Sequence, residues 1–258
     1  MAQNPPNRND NARKPRSSGR RLRGAVADHL GSAIVSGRIK PGERLTGEVE
    51  NAEALDVSRG AYREAVQVLS AKGLIDSRPK AGTFVQPREN WNLLDPQVLA
   101  WAFSDRPNVD FVRDLFELRS IVEPTVARLA AERRTEGELA DMADALSAMR
   151  EHSLATEAGR NADRRFHEIM LRATRNEVMF SLAASIGAAV GFATMFKTRA
   201  QGLPRDPLPD HEAVLDAIAV GDGEGAARAM QQLVDLALHD TKAAMAMAQR
   251  QTLPATDA

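Results

Sequence analysis

The chain has 258 residues, of which 43% are hydrophobic and 27% charged, so it is long enough for one or two domains with buried cores. It contains no cysteine, and this excludes disulfides, thiolate metal ligands and a cysteine nucleophile. The net charge of -1 conceals an asymmetry, because residues 1–88 carry a net charge of +7 and residues 89–258 a net charge of -8. A basic first third is suited to a polyanion such as DNA.

Both ends of the chain are polar and lack apolar periodicity. We therefore expect a disordered basic tail at residues 1–19 and a second disordered tail at residues 249–258. The N-terminus lacks the apolar segment of a signal peptide, and no run of about 18 apolar residues occurs. These features predict a cytoplasmic protein that does not contact a membrane.

Two helices are predicted after the basic tail. The first runs from about Arg20 to Ser36, where apolar residues recur at helical spacing. The Pro-Gly loop "IKPGERL" follows. A short helix at about Gly47–Leu55 comes next, with Thr46 as a candidate N-cap.

A third helix and a hairpin complete this region. The helix is predicted at Arg59–Lys72, with Ser58 as its N-cap. Two β-prone runs, Leu74–Ser77 and Thr83–Gln86, flank the turn sequence "RPKAG". Two short helices joined by a tight turn and followed by a hairpin predict a winged helix-turn-helix domain over residues 20–87.

The remainder of the chain shows no convincing strand. Residues 88–107 are predicted to form a linker with a connecting helix, and residues 108–248 an all-α bundle of six or seven helices. The predicted helices are about Val109–Arg133, Glu136–Arg150, Glu157–Thr174, Glu177–Ala200, Pro209–Val220 and Gly223–Ala248. The predicted fold class is therefore mainly α, with one small β-hairpin.

Basic residues of the third helix are candidates for reading DNA. Arg59 and Arg63 lie one turn apart, on a different face from the apolar stripe of Tyr62, Ala65, Val66 and Leu69. Guanidinium groups in the first turns of such a helix can bind guanine or phosphates in the major groove, and Ser58 precedes them directly. On the wing, Arg78, Lys80 and Gly82 can lie close to the DNA backbone or the minor groove.

A carboxylate and an imidazole occur one helical turn apart in "NADRRFHEIMLRAT". Asp163 and His167 of this segment share one face of a predicted helix. This spacing alone is compatible with a metal site, with a catalytic acid/base pair or with a solvated surface. With His211, the two residues would also match the facial triad of non-haem iron oxygenases. Such sites usually lie on β-barrels, and neither a strand-rich region nor a nucleophile motif is present.

The residues of the helix-turn-helix resemble the GntR superfamily of bacterial transcription regulators. The match covers "ERLTGEVENAEALDVSRGAYREAVQVLSAKGLIDSRPKAGTFV", and its "SR-x-x-x-REA-x-x-x-L-x-x-x-GL" core and closing "GTFV" are the specific parts. Arg59 and Arg63 match the arginines of the family's recognition helix. Val49 and Gly60 depart from the pattern, which has Arg at the first position and Thr or Pro at the second. One expected DNA contact is therefore missing at Val49.

The second domain is similar to the effector domain of the FadR subfamily. The matching segments are "LFELRSIVEPTVARLAAER", "ADRRFHEIMLRATRNEVM" and "HEAVLDAIAVGDGEGAARAM". This resemblance implies a homodimer on double-stranded operator DNA, controlled by a small effector; repression relieved by the effector is the default, and activation stays open. The linker "WNLLDPQVLAW" is similar to that of regulators of sugar-acid catabolism, which implies galactonate or a related aldonate or hexuronate as the effector.

The resemblance also implies residues for the effector site. Metal-binding members of the family use an Asp, a His four residues later and two further His, and Asp163, His167 and His211 match the first three. Leu233 stands at the fourth position and cannot bind a metal, which leaves an open site for Zn, Ni or Mn. Alternatively, the three residues bind the effector directly without a metal. Arg119 is the candidate partner of the effector carboxylate, and its competing role is an ion pair with Glu123.

Three classes of function follow from these residues. The favoured one is a regulator that responds to a sugar acid, and a regulator that responds to another organic acid is its variant. A metal-dependent non-haem enzyme that uses Asp163, His167 and His211 is the alternative, and a helical scaffold without a ligand is the third.

Overall fold

The computed structural model describes residues 17–45, 52, 57–104, 106–201 and 205–250, excluding the side chains of residues 17–23, 200, 201 and 250. The chain divides into two compact units, Met1–Gly31 with Lys40–Trp91 and Ser32–Ile39 with Asn92–Ala258. Elements are numbered in chain order through the described residues.

The first unit contains most of α1 (Ser17–Val35), together with α2 (Arg59–Ala71), β1 (Ile75–Arg78) and β2 (Gly82–Val85). Ser58 caps α2, since its Oγ accepts a hydrogen bond of 3.2 Å from the backbone N–H of Ala61. The predicted inward stripe is largely confirmed, because Tyr62, Ala65 and Leu69 are buried and Val66 is half-buried. The side chains that face away from this stripe are therefore left at the surface.

The two strands form the predicted antiparallel hairpin. Its register pairs Ile75 with Val85 and Arg78 with Gly82. Gly73 ends the preceding helix at a φ of 72°, and a side chain there would collide with the carbonyl oxygen of Asn90. The predicted short helix Gly47–Leu55, its cap Thr46 and the family departure at Val49 lie outside the described residues, apart from the buried, helical Ala52.

Eight α-helices make up the described part of the second unit after the short 3₁₀ turn at Arg88–Asn90. They are α3 (Pro96–Ala102), α4 (Val109–Arg133), α5 (Glu136–His152), α6 (Glu157–Ala173), α7 (Glu177–Phe180), α8 (Ala183–Gln201), α9 (Leu208–Ala219) and α10 (Gly223–Arg250). Helix α10 packs against α4, α8 and α9, and α6 packs against α4, α5 and α8. The predicted mainly α fold with a hairpin wing is confirmed.

Most helix boundaries agree with the prediction because polar caps mark them. Asn108, Thr135 and Thr156 each accept a hydrogen bond from a backbone N–H in the first turn of α4, α5 and α6. Both helices next to the predicted tails extend into them, because α1 already begins at Ser17 and α10 continues to Arg250. The outer parts of both tails lie outside the described residues.

The predicted continuous helix Glu177–Ala200 is wrong. Asn176 caps a single turn, α7, which ends in a turn before α8 begins at Ala183. The helical period does not continue through this turn, so Val178 is 79% exposed, whereas Ile186 and Val190 of the same predicted stripe are buried.

One helical segment among the described residues, Glu177–Arg199, is long and apolar enough to cross a membrane by length and composition. Its mean hydropathy is 1.8, a value that the core helix of a soluble bundle can also reach. Its longer part, α8, packs against α3, α6 and α10.

Close packing at the start of α6 generates a first prediction. A Cβ on Gly159 would lie 1.9 Å from the carbonyl oxygen of Ser153, which itself has a φ of 60°. We expect Gly159→Ala to lower the free energy of unfolding by about 1–3 kcal/mol, because the backbone must shift to remove the clash. Denaturant unfolding measures this change.

Gly137, in the first turn of α5, is the matched control. The nearest atom to a Cβ at that position is 4.0 Å away, so Gly137→Ala should leave stability unchanged or raise it by up to about 1 kcal/mol. Equal effects of the two substitutions would contradict the close contact at Gly159.

Candidate functional site

The structure brings Asp163, His167 and His211 together inside the second unit. Asp163 and His167 project from α6 and His211 from α9, and all three side chains are buried. One potential ligand atom of each residue lies within 4.8 Å of the others. A solvated helix surface is therefore the wrong interpretation of the Asp163–His167 spacing.

The hydrogen bond that His211 makes to the backbone directs its other ring nitrogen towards Asp163. Nδ1 of His211 lies 2.8 Å from the carbonyl oxygen of Pro207, so this nitrogen carries the proton and donates it. In a neutral ring, Nε2 of His211 then presents its lone pair to Oδ1 of Asp163, 3.2 Å away. Two acceptors at that distance require a cation between them, which is either a proton on the ring or a metal ion.

His167 completes the arrangement. Its Nε2 lies 3.5 Å from Oδ1 of Asp163, and its Nδ1 lies 3.0 Å from Oε2 of Glu123. Neither ring nitrogen has a hydrogen-bond partner of good geometry among the described residues. A buried imidazole nitrogen of this kind, beside a second imidazole and a carboxylate, is a donor set that fits a divalent metal ion.

The pKa values follow from burial and charge. Burial raises the pKa of Glu123, but Arg119 and His167 more than compensate and bring it down to about 2. Burial lowers the pKa of His167, whereas Glu123 and Asp163 outweigh burial and raise it to about 9. In the metal-free protein the His167 ring is thus protonated at neutral pH, and a metal would have to displace that proton.

Glu123 is a residue of the site that the sequence did not assign to it. Nε of Arg119 donates to Oε1 of Glu123 at 2.5 Å, and both side chains are only 2% exposed. Their spacing of four residues predicted a pair, but nothing in the sequence showed that the pair is buried or that Glu123 also reaches His167. The competing role of Arg119, the ion pair, is therefore present.

A small cavity of about 20 Å³ lies beside these residues. Its polar lining includes Arg119, Asp163, His167 and His211, together with Lys197 and Arg205. Leu233, at the position where the family pattern has a fourth metal ligand, also lines it and is buried. This volume accommodates an ion or a water molecule, but not a six-carbon acid.

The predicted DNA-binding residues lie at the surface of the first unit. Arg59 and Arg63 are exposed, on a different face of α2 from the buried stripe. Arg78 is exposed on β1, where it pairs with Asp76 at 3.1 Å and lies over the ring of Phe84. Lys80 is also exposed, and its φ of 63° places it in the left-handed region at the hairpin tip.

Arg44 is a cation of the wing that the sequence did not indicate. A Cβ on Gly82, whose φ is 107°, would lie 2.6 Å from Nε of Arg44. Gly82 therefore makes room for the exposed Arg44 side chain beside the hairpin. The two residues are 38 positions apart, and only the pairing of Arg44 with Phe84 brings them together.

Comparison with known proteins agrees with this geometry. Residues 22–85 match the model "Bacterial regulatory proteins, gntR family", and residues 114–236 match the FCD domain. The chain is 36% identical to the galactonate operon transcriptional repressor of Escherichia coli K12, over 80% of the chain and 90% of that protein. It is 33% identical to the HTH-type transcriptional regulator LutR of Bacillus subtilis 168, over 76% and 90%.

Among solved structures, that of Lar, which controls the expression of the Listeria monocytogenes agr system, has a similar fold. The TM-score is 0.62 at 18% identity, over 86% of this chain and 97% of Lar. At that identity the likeness concerns the fold alone.

Two of the ion pairs of α4 generate a second prediction. Arg119–Glu123 and Arg128–Glu132 both have a spacing of four residues, but the first is buried and the second is 37% and 42% exposed. We expect Glu123→Gln to lower the free energy of unfolding by about 3–5 kcal/mol, because it leaves the Arg119 charge buried without its partner.

The matched variant Glu132→Gln should cost at most about 1 kcal/mol, since solvent screens the exposed pair. Denaturant unfolding of both variants gives the comparison. Similar losses in the two variants would show that burial does not govern these pairs.

Proposed function

Because the chain belongs to the GntR family of bacterial regulatory proteins and carries an FCD domain, we propose that it represses a sugar-acid catabolic operon until a small carboxylate effector binds. The chain is a DNA-binding transcription regulator and not an enzyme. The observation that carries the effector part is the buried Asp163–His167–His211 cluster in the helical domain. A polar cluster of this kind, held in a core that must otherwise remain apolar, suits a ligand site.

On DNA, α2 is the element that we assign to the major groove. Ser58, Arg59 and Arg63 lie at its N-terminal end, and the two guanidinium groups are exposed. They would bind base edges or phosphates, while Arg78, Lys80 and Gly82 bring the wing near the DNA backbone or minor groove. One such domain covers only a half-site, so a homodimer on a pseudo-palindromic operator is the expected assembly, in the cytoplasm.

In the effector site, Asp163, His167 and His211 would hold one divalent ion, Zn, Ni or Mn. When bound, it would supply a Lewis-acidic centre with open positions for carboxylate and hydroxyl oxygens. Leu233 keeps the fourth protein position free of a ligand. Without a metal, the same three side chains would hydrogen-bond the effector directly. Arg119, which lines the cavity, is the proposed partner of the effector carboxylate.

The cavity volume suggests how binding is coupled to release from DNA. A cavity of about 20 Å³ holds about one water molecule, so the binding of a sugar acid would require side chains or helices around it to move. The effector would thus favour a conformation that is scarce without it. In a dimer, such a change in the helical domains would alter the spacing of the DNA-binding domains and weaken operator binding.

The recognition helix is tested by Arg63→Ala. We expect binding to the DNA upstream of the protein's own gene to weaken by about 10- to 100-fold, because a guanidinium contact to a base is lost. Gel shifts measure the binding. Arg113→Ala removes an exposed arginine of α4 and should bind as the wild type does. Normal binding by Arg63→Ala would show that the recognition helix is misassigned.

The effector site is tested by calorimetry with galactonate and with other sugar acids, before and after chelation of metals. We expect chelation and Asp163→Asn each to weaken galactonate binding by at least about 10-fold, because both remove the metal. Asp141→Asn changes an exposed carboxylate of α5 and should bind normally.

Metal analysis of the purified protein should find close to one metal ion per chain. Heat of binding that survives chelation unchanged would favour direct binding by the three side chains. The absence of heat with every sugar acid would refute this effector class.

A further inference from the structure

Lys197 is a buried cation of the cavity that the proposed function does not use. It projects from α8 into the cavity wall, and only 7% of the residue is exposed. Among the described residues its ammonium group makes no hydrogen bond and no ion pair, although it is not one of the fully buried polar atoms. Removing most of the water from an ammonium group without giving it a protein partner is costly, so such a lysine is rarely kept in a core without a role.

The carboxylates around the cavity are already engaged by other groups. Glu123 pairs with Arg119. Oδ1 of Asp163 lies 3.2 Å from Nε2 of His211 and 3.5 Å from Nε2 of His167. Arg205 pairs with both Asp210 and Asp240. Among the described residues that line this cavity, Lys197 thus carries a positive charge that no protein carboxylate contacts.

The surroundings of Lys197 leave it charged at neutral pH. Burial lowers its pKa to about 8, and Arg119 and Arg205 act in the same direction. Asp240 and Asp163 oppose this effect from α10 and α6. Because the pKa remains above 7, most molecules carry the ammonium charge that an anion can neutralise.

We propose that Lys197 is the residue that recognises the negative charge of the effector, by pairing with its carboxylate inside this cavity. Arg119, whose charge Glu123 already neutralises, then contributes hydrogen bonds to the effector and no net charge. This inference rests on the proposed effector site, and it assigns the specificity for an acid over a neutral polyol to one side chain. The ligand class is a monocarboxylate with neighbouring hydroxyl groups.

The test compares a charged and a neutral ligand with the same carbon chain. Calorimetry is performed on the full-length protein, with its metal, using galactonate and galactitol as probes. Lys197→Gln should weaken galactonate binding by about 30-fold or more, because one partner of a buried charge pair is lost. Its affinity for galactitol should stay within about 3-fold of the wild type, and Lys197→Arg should recover part of the galactonate affinity.

Lys242→Gln is the matched control, since it removes an exposed lysine of α10 and should leave galactonate binding unchanged. Metal content is measured in each variant, so that a loss of the metal is not mistaken for a loss of the charge contact. Equal weakening of galactonate and galactitol binding by Lys197→Gln would overturn the charge role, as would unchanged galactonate binding.

Stability supplies a second readout if Lys197→Gln folds poorly. Lys197→Met should unfold at the same temperature as the effector-free wild type or at a higher one, because an unpaired buried charge is removed. Galactonate should then raise the melting temperature of the wild type but not that of Lys197→Met. A large loss of stability in effector-free Lys197→Met would indicate a structural ion pair and overturn the proposal.

Failure of the sugar-acid proposal gives a different pattern. The same titrations are performed with lactate, a short 2-hydroxy acid. If the wild type binds lactate but no sugar acid, and Lys197→Gln loses lactate, the role of Lys197 stands and the sugar-acid effector is refuted. If the wild type and Lys197→Gln bind sugar acids equally well, the sugar-acid effector stands and the role of Lys197 is refuted. If the wild type binds neither acid, both proposals fail.

Discussion

A buried carboxylate shared by two imidazoles is the interaction on which the helical domain depends. Burying Asp163 alone would cost several kcal/mol. His167 from the same helix and His211 from α9 surround its Oδ1, and Glu123 approaches His167 from α4. Three helices of the bundle are thus joined through one set of charges, and each member is stable only while the others remain in place.

This dependence supports the proposed role of the cluster in effector binding. A ligand or a metal that changes the charge at Asp163 changes the electrostatic energy that holds α4, α6 and α9 together. A site on the surface could not affect all three helices in this way. The cavity beside the cluster holds about one water molecule and its lining includes Lys197 and Arg205, so a sugar-acid anion could enter only if the walls moved. The DNA-binding unit uses charge differently, because its arginines are exposed and can act on phosphates without being desolvated in the free protein.

Most of the fold could be predicted from the sequence, because the capping residues and the apolar periodicity indicate the same helices that the packed structure contains. The capping residues Asn108, Thr135 and Thr156 lie directly before apolar periodicity, so the starts of α4, α5 and α6 could be predicted to the residue. The same method joined α7 to α8, since Ser181 and Leu182 carry neither proline nor glycine to mark the turn. A helix that ends without proline, glycine or a similar local residue ends there because of how it packs, and a single sequence does not show that packing.

Periodicity and turn residues were enough to predict the helix-turn-helix and the helical bundle. Helical spacing put Asp163 and His167 on one face, whereas His211 was added by the family resemblance. Three features became visible only in the packed structure: these side chains are buried, Glu123 lies beside His167, and Arg44 lies beside Gly82. The charge environment of Lys197 was equally hidden, since it depends on carboxylates of α6 and α10 and on Arg205 from the loop before α9. Burial and charge balance are sums over neighbours distant in sequence, and they exist only once the helices have packed.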